Sequence, residues 1–168
     1  QNAMAEEWLT EVVAVYDKAV AAARGQIAPE KLARLLRDYA DFLLKNKQYH
    51  RIGSLYAESL TIWRRLMQEN PDAFAPDVAG TLNNLAILHA DTQCQAQAEE
   101  EYAEALAIYR RLGQTTDMYN PQIENIEKSI DTIIAAGLTK KISLFRSHYG
   151  MLVVLLLVVV GILLWILL

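Results

Sequence analysis

Residues able to do chemistry are few in this chain of 168, and none stands at a spacing that chemistry uses. Glu99-Glu100-Glu101 is the densest carboxylate run and has the composition of a cation site. An EF-hand needs acids at alternate positions around a central Gly, and that spacing is absent, so the run is expected on an exposed helix face. His50, His89 and His148 are scattered and Cys94 is the only cysteine. No disulfide within one chain and no Cys/His metal pattern can form from them. A Gly-rich phosphate loop, a nucleophile elbow and an HExxH pair are all missing. The expectation is a protein that is not an enzyme and uses no cofactor or metal. Trp8, Tyr16, Tyr56, Trp63, Tyr102 and Tyr109 recur at helical spacing and are expected as knobs between helices.

The elements that would position any site follow from a repeat. Shifting the sequence by 46 lays residues 32–66 over 78–112, and eleven of the thirty-five pairs are identical. Among them are Leu36/Leu82, Ala40/Ala86, Tyr56/Tyr102, Leu60/Leu106 and the run Arg64-Arg65-Leu66/Arg110-Arg111-Leu112. A fixed offset of this size marks a solenoid of helix pairs. Each pair has an apolar face that it buries only by stacking on the next.

The segments LNNLA (82–86), Ala98, Tyr102, Ala105 and Leu106 in the pattern AxxxYxxAL, and IYRRL (108–112) resemble a tetratricopeptide repeat. The long spacing and the Pro76-Asp77-Val78 step make it most similar to the kinesin light chain variety. Leu36, Ala40, Tyr49, Tyr56 and Leu60 carry the same marks more loosely. The resemblance covers roughly residues 30–136. It departs at the turn inside each pair, where the family has Gly and this chain has Lys47 and Gln93, and at Ile52, which replaces a small Ala. Binding of kinesin does not follow from so general a motif.

The resemblance implies a concave groove lined by the first helix of each pair. Its positions would be Arg34, Arg37, Asp38, Asp41 and Lys45 in the first pair and Asn83, Asn84, Ile87 and Asp91 in the second. Glu127, Lys128 and Asp131 would continue that surface. The amides of Asn83 and Asn84 both donate and accept, which suits a peptide backbone. A solvated polar face of an amphipathic helix is the competing reading of the same residues. His89 falls where the family places a packing aromatic.

Taken in order, Gln1-Asn2-Ala3 ahead of Met4 has the form of a vector remnant. Residues 5–24 form a helix matching the second half of a repeat, and Gly25 and Pro29 mark the break after it. Helices are expected over 29–46, 49–69, 77–92 and 95–112, with breaker-rich connectors at 70–76 and 113–120. A capping helix follows from Pro121 with Ile123, Ile126, Ile130, Ile133 and Ile134 on one face, ending at Gly137. Residues 138–168 hold Lys140, Lys141 and Arg146 and no acid, so of the net charge of −4, residues 1–137 carry −7. An acidic body argues against nucleic acid as a partner. Residues 151–168 carry no charge. As a helix they reach about 27 Å, close to the roughly 30 Å of hydrocarbon in a bilayer.

The expected fold is therefore an all-α, tetratricopeptide-type helix-pair solenoid of about six helices followed by a single C-terminal transmembrane helix. The domains would be 4–137 (complete repeats about 30–69 and 77–113), a basic juxtamembrane linker 138–149 and a span 150–168. Lys140, Lys141, Arg146 and Tyr149 would flank the membrane, and positive residues there favour the cytoplasmic side. This layout implies a tail-anchored, single-pass protein with its N-terminal domain in the cytoplasm, the bilayer as partner of 150–168, and an insertion factor. The function expected is a membrane-anchored scaffold binding a protein or peptide in the groove. A competing class makes the helical domain a passive carrier fused to the tail.

Overall fold

The computed structural model describes the backbone of residues 2–114 and 116–167, and the side-chain surroundings of residues 4, 6–114 and 116–145. Six helices follow one another: α1 (Asn2–Ala23), α2 (Pro29–Lys45), α3 (Ile52–Glu69), α4 (Pro71–Asp91), α5 (Gln95–Gly113) and α6 (Asn120–Leu167). A short 3-10 turn, Asp117–Tyr119, precedes α6. No strand occurs among the described residues. The chain divides into two compact units, Gln1–Glu127 and Lys128–Leu168.

In the first unit each helix from α2 to α5 packs on its predecessor, and α4 also packs on α2. That is a solenoid-like order. Its core joins Val20, Leu36, Tyr39, Leu43, Ile52, Leu55, Tyr56, Leu85 and Leu88 from α1 to α4. Trp63, Tyr102, Ala98, Ala105 and Tyr109 are buried further along. The 46-residue offset reappears here: Leu36/Leu82, Ala40/Ala86 and Tyr56/Tyr102 are buried in both copies. Tyr16 stacks on Tyr39 with ring centroids 4.7 Å apart, which seats α1 on α2.

The turns inside the two pairs share one geometry. At the first, the Gln48 amide donates to the Leu43 carbonyl (2.9 Å) and Lys47 to Leu44 (3.0 Å). At the second, Cys94 donates to His89 (2.7 Å) and Gln93 to Ala90 (3.2 Å). This is the paired bonding of a Schellman cap, which needs a left-handed residue. Lys47 at φ 55° and Gln93 at φ 62° supply it, 46 positions apart and without the Gly that would adopt it freely.

Three boundaries differ from those read from the sequence, the smallest change being at α3, which starts at Ile52 and not at residue 49. The breakers at 70–76 do not form a connector, because α4 begins at Pro71 and runs through Pro76. Asn70 caps it by accepting from the Ala73 amide (3.3 Å), and Pro71 stands where a proline has no bond to lose. Pro76 leaves only the Asp72 carbonyl without its helical donor, and Asp72 is exposed to water. Phe74 packs on Trp63 at 5.9 Å and holds this first turn down. Gly137 likewise does not end a helix, since α6 continues through it; a single interior Gly costs only about 1 kcal/mol.

No helix among the described residues is long and apolar enough to cross a membrane. In the part of α6 with described side chains, Glu124, Glu127, Lys128, Asp131, Lys140 and Lys141 interrupt the apolar positions. This finding corrects the expected fold class: among the described residues the architecture is all-α with six helices and no membrane-spanning helix. The single-pass membrane location with a cytoplasmic domain is corrected with it. Residues 150–168, on which that expectation rested, lie outside the residues whose side chains are described, as do Arg146 and Tyr149.

Candidate functional site

Helices α2 and α4 lie side by side and carry nine of the expected groove residues. Their polar side chains are joined across the seam rather than left open. Arg37 Nη1 donates to Asp77 Oδ1 at 2.9 Å in a half-buried ion pair. Asp41 Oδ1 accepts from the Tyr56 hydroxyl (2.5 Å) and from Asn84 Nδ2 (2.7 Å). Asn83 Nδ2 then donates to Asn84 Oδ1 at 3.2 Å. The Tyr49 hydroxyl reaches Asp91 at 3.4 Å, long for such a bond.

The separations along the chain explain this stitching. Arg37–Asp77 spans 40 residues and Asp41–Asn84 spans 43, both short of the 46-residue period. Each α2 side chain therefore meets an α4 residue that precedes its own counterpart, by three residues for Asp41 and by six for Arg37. Asn84 answers in sequence to Asp38, yet it bonds Asp41.

Tyr56 is the buried end of the network. It is fully buried, and burial first, then the bond and charge of Asp41, push its hydroxyl far above the ordinary tyrosine range. A protonated Tyr56 is thus a permanent donor to Asp41. Tyr109, beneath Gly80 of α4, is also pushed up chiefly by burial.

What stays open on this face is a smaller set. Arg34, Asp38, Lys45 and Asp91 are exposed, while Asn83 and Ile87 are half-buried. The Arg34 guanidinium lies 6.0 Å from the centre of the Trp63 ring, at the outer limit of a cation–π contact. Arg37, Asp41 and Asn84 are engaged in joining helices. Glu127 belongs to α6 but is drawn to Arg110 (2.6 Å). Lys128 is exposed and belongs to the second unit, as do the exposed Lys140 and Lys141. Asp77 and Tyr56 were not among the expected groove residues; Asp77 is drawn in by Arg37, 40 residues away, and Tyr56 by Asp41, 15 residues away.

Further ion pairs tie Arg24, just past α1, to α3, α3 to α5, and α5 to α6: Arg24–Glu58 (2.7 Å), Arg64–Glu104 (2.7 Å) and Arg110–Glu127 (2.6 Å). They are exposed and contribute little each. The acidic run is tied to α4 through its last residue. His89 Nδ1 lies 2.7 Å from Glu101 Oε2, so His89 sits at a polar contact rather than in an aromatic's packing role. Burial pushes the Glu101 carboxyl up, against the lowering effect of His89. No group of metal-binding side chains occurs among the described residues. Comparison with protein-family models and with curated proteins finds no match to this chain.

Proposed function

We propose that residues 30–113 form a tetratricopeptide-like module that holds a segment of a protein partner against α2 and α4. The observation that carries this reading is the 46-residue repeat whose two first helices pack side by side. The stitched seam of Arg37–Asp77 and Asp41–Asn84 makes a rigid floor, and rigid floors lower the ordering cost of binding. Above it stand Arg34 and Lys45 against Asp38 and Asp91, a balanced set with no net charge, around the half-buried Ile87 and the Asn83 amide. Such a surface suits a segment read through its backbone and one apolar side chain, and gives no preference for strongly charged ligands.

Panning a random peptide library against the wild-type chain, with counter-selection on Asp38→Lys/Ile87→Ala, tests the reading. Peptides enriched on the wild type are expected to lose about tenfold or more in affinity for the variant, which is about 1.4 kcal/mol. Circular dichroism of the variant should match the wild type. Peptides that bind both proteins equally would remove the groove from the argument.

A further inference from the structure

Helix α1 is apolar on two faces. One, with Val13 and Tyr16, packs against the core to which Val20 belongs. The other carries Met4, Trp8, Val12, Val15 and Ala19 at helical spacing, with one edge of the Trp8 ring against Phe42 of α2 at 5.9 Å. On it Met4 is 77% exposed, Trp8 54% and Val15 65%. Between this face and Leu35 of α2 lies a cavity of about 430 Å³, lined by Trp8, Val12, Val15, Tyr16, Ala19 and Glu11. A helix apolar on both sides requires cover on both.

We propose that this face is a self-association surface whose occupant is α1 of a second copy, running antiparallel. Charge selects that occupant and that direction. On the solvent flank of the stripe Glu7 and Glu11 stand in the first half and Lys18 in the second. In a parallel pair this flank would face the partner's other flank, where Leu9 and Tyr16 stand and offer no charge to pair with it. In an antiparallel pair with Trp8 opposite Ala19 and Val12 opposite Val15, Lys18 of one copy lies between Glu7 and Glu11 of the other. The two-fold axis repeats that cluster, as an isologous contact must. Large Trp8 against small Ala19 lets the helices approach, and the cavity beside Leu35 receives the indole. The overlap is one helix pair, at the low end of interface sizes, so the dimer forms at micromolar concentration.

Sedimentation velocity of the full chain, from micromolar to near-millimolar concentration, tests this. The wild type should pass from monomer to dimer. Val15→Glu, at an exposed position that leaves helicity unchanged, should leave it monomeric throughout. Lys18→Glu should weaken the dimer by about tenfold, and Lys18→Glu combined with Glu7→Lys and Glu11→Lys should restore it. A wild type that stays monomeric overturns the proposal. So does association that Val15→Glu leaves unchanged, which would belong to another surface, and so does a charge swap that fails to restore pairing.

Discussion

Asn84 separates a structural amide from a ligand-binding one. Changing it to Ala removes the Nδ2 donor 2.7 Å from Asp41 Oδ1 and leaves that carboxylate with the Tyr56 hydroxyl. A hydrogen bond to a charged group is worth about 1.5–3 kcal/mol. Ala is the better helix former by up to about 0.7 kcal/mol, so the net loss is about 1–2.5 kcal/mol. At roughly 3 °C per kcal/mol for a domain of this size, the melting midpoint should fall by about 3–8 °C. Asn83→Ala removes only a 3.2 Å bond to its chain neighbour and should stay within about 0.5 kcal/mol. Thermal melts followed at 222 nm give both numbers, and a double-mutant cycle with Asp41→Ala isolates the pair, expected to couple by more than about 0.5 kcal/mol. If Asn84→Ala costs no more than Asn83→Ala, the seam is not what joins α2 to α4.

Two further outcomes follow from the turns and the first helix junction. Lys47→Gly and Gln93→Gly should each stabilise by about 0.5–1 kcal/mol in urea denaturation, since a left-handed backbone costs a side-chain-bearing residue about 1–2 kcal/mol and Gly returns part of that as lost entropy. Asp17 accepts from both Arg51 Nη atoms (2.9 and 3.1 Å) and from the Tyr39 hydroxyl (3.0 Å), and the Arg51 bond holds its carboxyl below the usual value. Stability from a depressed carboxyl is present above its unfolded pKa of about 3.9 and is lost as pH falls through the folded value. Asp17→Asn should therefore lower the urea midpoint near neutral pH, with the gap to wild type closing below about pH 4. A gap independent of pH would show that Arg51 does not act through charge.

The repeat was legible because eleven identities stand at one offset, and five of them (Ala33/Ala79, Leu36/Leu82, Ala40/Ala86, Tyr56/Tyr102 and Leu60/Leu106) are buried in both copies. Helices α2, α3 and α5 followed from apolar spacing. The start of α4 was not, because Asn70, Pro71 and Pro76 read as breakers when taken one at a time. Only the cap at Asn70 and the Phe74–Trp63 contact turn them into a helix start. In the site, residue type identified polar positions on α2 and α4 but not their partners. Asn84 and Asp41 meet three residues out of the 46-residue register, a tertiary fact that periodicity within one helix does not encode. The apolar tail showed the opposite failing: composition suggested a membrane helix, and no described helix supports one.

The neighbour-on-neighbour packing of the first unit also governs how the chain acquires its structure. Contacts close in sequence require only short loops to be closed before they are rewarded, so search times are short. The seam between α2 and α4 is the longest-reaching tie, and α3 lies between its two ends. A nucleus that forms there can extend outward one helix at a time, as in other linear arrays. Loss of structure retraces the route from the ends, and α1, which has α2 as its main support, is released first.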